Sequence, residues 1–83
     1  MTLDQKRQQI DQIDQQIVEL LEQRFQIGKS IGEYKKIHHL PILNTNREYQ
    51  VLERINKIVR NKRNSKQIQR IFRTIMNQTK TIE

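Results

Sequence analysis

Seven apolar residues, Ile10, Ile13, Ile17, Leu20, Leu21, Ile27 and Ile31, fall on one stripe of a helical wheel, and no proline interrupts them. This spacing predicts one continuous helix from about residue 4 to about residue 36. Gly28 and Gly32 weaken its propensity but are not accompanied by turn residues. A helix of about 33 residues is about 50 Å long, whereas a compact chain of 83 residues has a radius of gyration of only about 12 Å. The first helix must therefore outrun what its own chain can cover. Its isoleucines then need a second subunit, and a helical homodimer is the economical solution. Composition agrees: with 34% hydrophobic residues, 83 positions are enough for one small domain, 1–83, but thin for a self-sufficient core.

The remaining pattern is also helical. The single proline, Pro41 in "HHLPILN", forbids continuation through Leu40. A second helix is expected from "NTNRE", capped by Asn44 or Thr45, with Thr45-x-x-Glu48 in the form of a capping box. Val51, Leu52, Ile55, Ile58 and Val59 carry its apolar face. The polar run "RNKRNS" should end it, and Ser65 is the expected N-cap of a third helix bearing Ile68, Ile71, Phe72, Ile75 and Met76. The fold class is thus all-α, with three helices and a long first one.

Several function classes fall away. There is no cysteine, hence no disulfide or thiolate metal site, and a reducing compartment is the natural expectation. The start has no apolar export core and no run suits a membrane span, so a cytoplasmic location away from membranes is expected. His38 and His39 are adjacent, with no further ligands at metal spacing, and no phosphate-cradling glycine loop or serine nucleophile occurs. Neither a metal nor a cofactor is implied. The net charge of +7 points to an anionic partner. Nucleic acid is one such partner. However, Arg54, Lys57, Arg60, Lys62, Arg63, Lys66, Arg70 and Arg73 scatter around their helices, without aromatic interleaving, and read better as a solvated basic surface.

The more telling charges interrupt the apolar faces. Arg24 and Lys35 lie within about 20° of each other, in the middle of the stripe of the first helix. Glu48 falls between Ile55 and Val59 in angle, and Thr79 and Glu83 continue the line of Ile68, Phe72, Ile75 and Met76. Internal pairing, for example Arg24 with Glu48, would account for single residues, but desolvation makes such pairs poor stabilisers. The interior cations also outnumber the anions and need a counterion. A small anionic ligand inside the bundle supplies one. Arg7 lies about 100° around the helix from Arg24, so it does not serve that pocket in cis but could reach a partner's pocket. Its bland alternative is a solvated surface arginine.

The stretches "KRQQIDQIDQQIVELLEQR", "IGEYK", "LPILNTNRE" and "IFRTIMNQT" together closely resemble the all-α chorismate mutases, in order and over nearly the whole chain. The resemblance implies a three-helix chain in an intertwined homodimer with two active sites, rearranging chorismate to prephenate in phenylalanine and tyrosine synthesis. It implies that Arg24 binds a substrate carboxylate and that Arg7 is donated from the partner subunit. Lys35 would contact a carboxylate and the ether oxygen, Glu48 would accept from the substrate hydroxyl, and Arg47 would support the carboxylate network. Thr79 stands at the family's small hydroxyl position near a carboxylate. Asn44 replaces a frequent Asp at a place where contact runs through the backbone N–H. Glu83 stands where Gln or Glu donates to the ether oxygen, and as Glu it must be protonated to do so. Isochorismate pyruvate lyase activity on the same fold and a helical nucleic-acid-binding dimer are the alternatives.

Overall fold

The computed structural model describes all 83 residues and contains only helices. Helix α1 spans Leu3–Ile37, α2 spans Thr45–Ile58, and a single 3-10 turn, Lys62–Asn64, leads into α3, Ser65–Ile82. The Thr2 hydroxyl accepts from the Gln5 backbone N–H at 3.2 Å, and the Gln5 side chain accepts from the Thr2 N–H at 2.8 Å. That capping box satisfies two of the first turn's orphan donors. At the other end His39 adopts a left-handed conformation, φ 53°, and the Leu40 N–H returns to the Lys35 carbonyl at 2.7 Å. The chain thus turns away just before Pro41.

Two expected caps differ. Asn44 takes the N-cap of α2, its side chain accepting from the Arg47 N–H at 3.0 Å. Thr45 is consequently the first helical residue, which puts Arg47, not Glu48, at the third helical position, so the Thr45-x-x-Glu48 box does not form. Ser65 does not cap α3 either. The 3-10 turn runs straight into the helix, so the Ser65 N–H already has the Lys62 carbonyl, and the Ser65 hydroxyl bonds Asn56 Oδ1 at 2.5 Å instead. Helix α2 stops at Ile58, short of the polar run, with Val59 extended.

Helix α3 packs against both α1 and α2, which do not approach each other closely. Val51, Ile55 and Met76 form the small buried core, flanked by Leu52, Val59, Ile68 and Phe72. Ile58 and Ile71, read from the sequence as part of these faces, instead stay exposed. Helix α1 buries only Gly28 and Gly32. Ile10, Ile13 and Ile17 retain 58%, 54% and 48% of their accessible surface, so the stripe that defines the helix is uncovered within one chain.

The shape is correspondingly extended, 54 × 24 × 15 Å with a radius of gyration of 15.8 Å. A compact protein of 10.1 kDa exposes roughly 5,300 Å². This chain exposes 7434 Å². No helix is long and apolar enough to cross a membrane.

Candidate active site

A cavity of about 400 Å³ opens where the C-terminal half of α1, the 38–44 loop, the start of α2 and the end of α3 converge. Its floor is apolar, from Ile27, Ile31, Ile42, Val51 and Met76. Its walls carry Arg24, Lys35, Asn44, Arg47, Glu48, Thr79 and Glu83, so seven of the eight site residues named from the sequence meet in one place. Arg7 does not: it is exposed, and its position lies about 25 Å along the α1 axis from Arg24.

The α1–α3 contact depends on two glycines. A Cβ on Gly28 would stand 2.7 Å from Thr79 Cγ2, and one on Gly32 would stand 2.7 Å from the Cα and carbonyl oxygen of Glu83. Their missing side chains let the last turn of α3 lie directly on α1 and bring Thr79 and Glu83 against Arg24 and Lys35. Arg24 Nη1 donates to Thr79 Oγ1 at 2.7 Å, and that hydroxyl donates in turn to the Ile75 carbonyl at 2.7 Å. Thr79 thereby presents a lone pair toward the arginine. Burial, then repulsion from Arg47 and Arg54, holds the Arg24 guanidinium below the usual arginine range, with Glu83 opposing the change. The group remains a cation at neutral pH, but in surroundings that favour the charge less than water does.

Lys35 Nζ donates to the Ile42 carbonyl at 2.7 Å and to Glu83 Oε2 at 2.9 Å. The two side chains are only 16% and 8% exposed, so water screens the pair weakly. The Glu83 backbone N–H donates to the Thr79 carbonyl at 3.0 Å. The main-chain N–H of Asn44 donates to no group in the chain, its side chain being spent on the cap. Arg47 lines the cavity without a carboxylate partner.

Sequence reasoning missed two features. Lys80, also on the wall, binds Glu48 Oε2 at 2.9 Å. Its place four residues after buried Met76 and three before Glu83 was the available signal. Gly28 and Gly32 were visible only as flaws in propensity, because a close approach of helices leaves no local mark. The pairing considered for Arg24 and Glu48 does not occur; each has another partner. In all, four cations and two carboxylates face the cavity, an excess of two positive charges. No cluster of three or more His, Cys, Asp or Glu that could hold a metal ion is present.

A family model described as chorismate mutase type II matches residues 6–83. The chain belongs to this family. Among related proteins, the bifunctional chorismate mutase/prephenate dehydratase of Aquifex aeolicus is 39% identical over 56 residues, which are 68% of this chain. The match spans 16% of that longer relative. Among solved structures, a conserved hypothetical protein from Pyrococcus furiosus is 35% identical, with a TM-score of 0.81 and coverage of 99% of this chain and 95% of the other. The cavity therefore sits in a chorismate mutase type II chain, where α1 and the end of α3 face each other.

Proposed function

We propose that this chain is a chorismate mutase, acting as a homodimer in aromatic amino-acid synthesis. The observation that carries the reading is the cavity's charge: an excess of two cations around an apolar floor suits a dianion with a hydrocarbon ring. The concerted rearrangement of chorismate breaks an ether C–O bond while a C–C bond forms, with every electron pair moving within the substrate. What it asks of a protein is a chair-like conformer held in place and charge stabilised at the breaking bond.

In this reading Arg24, backed by Thr79, takes one carboxylate. Arg47 and the free Asn44 N–H serve the carboxylate network, and Glu48 accepts from the ring hydroxyl. Lys35 and Glu83, already side by side, point at the ether oxygen. In the free site they pair with each other. The substrate's negative charge competes with Glu83 for Lys35, which then donates to the ether oxygen.

The dimer is supported by the surface. About 2,100 Å² of exposure beyond that of a compact chain of this mass, on each of two copies, falls within the range of obligate interfaces. Antiparallel pairing along α1 would cover Ile10, Ile13 and Ile17 and carry Arg7 toward the other subunit's cavity. The test is direct: purified protein is mixed with chorismate, the loss of its absorbance is followed, and the product is identified, with isochorismate run in parallel. Prephenate from chorismate is the expected result. Pyruvate release from isochorismate alone would replace this reading with a lyase.

A further inference from the structure

Lys80 borders the packed face of α3, on its polar side. It follows Met76 by four positions and adjoins Thr79, both of which are buried. Its ammonium nevertheless enters the wall of the cavity and binds Glu48 Oε2 at 2.9 Å. At 30% exposure the charge is partly withdrawn from water and is met by a single carboxylate.

Glu48 shows what the role is. No backbone or side-chain donor within α2 holds its carboxylate, because the capping box with Thr45 does not form. Of the cations near it, Lys35 is taken by Glu83 and the Ile42 carbonyl, and Arg24 by Thr79. Arg47 precedes it in the chain without pairing with it, and Arg73 shares with it only a neighbouring surface cleft. Lys80 is thus the single group that fixes Glu48 within the chain. It engages Oε2 and leaves Oε1 without a partner.

We infer that Lys80 is a positioning residue, pinning the Glu48 carboxylate so that its second oxygen meets the ring hydroxyl of the substrate. The pair then makes hydroxyl recognition a property of two helices instead of one flexible side chain on α2. This inference rests on the chorismate mutase reading for the identity of the hydroxyl, but not for the existence of the pair. Both side chains are about 30% exposed, so the pair itself contributes little to stability. Its value lies in geometry.

The experiment compares chorismate with an analogue whose ring hydroxyl is replaced by hydrogen. K80M, K80R, E48Q and the K80M/E48Q double variant are assayed beside the wild type. K80M removes one cavity cation and so weakens both dianions, but it should lower kcat/KM about ten- to a hundredfold more for chorismate than for the deoxy analogue, the scale of a misplaced binding group. K80R should restore most of the loss, and the double variant should be no worse than E48Q alone. Equal losses on both substrates, or effects of K80M and E48Q that multiply, overturn the inference. Side-chain rotamer averaging of Glu48, read by NMR in the wild type and in K80M, is independent of activity. A single Glu48 rotamer that becomes averaged in K80M shows that Lys80 holds it, and the same distribution in both proteins overturns the inference. If the wild type leaves chorismate unchanged, the proposed activity fails while the rotamer comparison still decides whether Lys80 holds Glu48.

Discussion

The two halves of α1 obey the same apolar periodicity and do different things with it. From Ile10 to about Gln23 the stripe is purely apolar, and nothing in the chain covers it. From Arg24 to Ile37 two cations and two glycines break the stripe, and there α3 and the cavity are found. An uninterrupted apolar face is satisfied by another apolar face. A face that leaves a net excess of positive charge calls for an anion. The glycines belong to the second half because only there must another helix lie against the α1 backbone.

Damage to the first half should have the larger consequence. In the proposed dimer, placing Glu at both Ile13 and Ile17 would put four carboxylates into a symmetric interface and remove about 1.5–3 kcal/mol of burial for each isoleucine. With so small an internal core, we expect loss of cooperative folding, seen as collapse of helical circular dichroism and of the dimer mass by light scattering. A folded dimer of this variant would move the interface elsewhere.

The second half is broken without unfolding. Lys35→Ala and Arg7→Ala should each lose about 10²–10³ in kcat, as removal of one preorganised donor does. Mixing them after subunit exchange should restore about a quarter of wild-type activity, since half the dimers are hybrids and each hybrid rebuilds one of its two sites. Absence of recovery, with exchange verified by mass, would show that Arg7 is only a surface residue.

How much of this was legible follows the same division. The stripe of Ile10 to Ile31 and the single Pro41 determine the helices, because periodicity and proline act locally. Arg24, Lys35, Glu48, Thr79 and Glu83 stood out as polar residues on apolar arcs, and all five line one cavity. The caps were read in part: Asn44 was one of the two expected for α2 and is the one found, whereas Ser65 gives up the role because the 3-10 turn runs straight into α3. Lys80 stayed hidden because a lysine on a basic helix looks solvated until its partner on another helix is seen.

Two smaller effects sharpen the reading of the second half. Gly32→Ala should lower activity more than tenfold with little change in Tm. The new methyl meets backbone atoms of Glu83 that cannot rotate away, while alanine returns about 1 kcal/mol of helix propensity. Gly28→Ala meets only a methyl of Thr79 and should be milder; the reverse order would mean that Glu83 is not what the glycines position.

The smallest effect tests whether the charge at Arg24 serves the ligand or the fold. Its folded-state value is lowered, chiefly by burial and then by Arg47 and Arg54. For a base this sign means that the charged form is disfavoured on folding. The cost is fully present at every pH where arginine is protonated in both states, and it is relieved only as pH rises through the folded value, far above neutrality. Arg24→Met keeps the apolar stem and removes the charge. It also removes the bond to Thr79 Oγ1, but Thr79 keeps the Ile75 carbonyl as its own acceptor and is not orphaned. We expect the ligand-free variant to gain about 0.5 kcal/mol, a Tm rise of about 2–4 °C for a domain of this size. It should also lose the further stabilisation that a dicarboxylate substrate analogue confers on the wild type. A fall in Tm would mean that the Arg24–Thr79 bond outweighs the buried charge, so that the cation is there for the fold as much as for the anion.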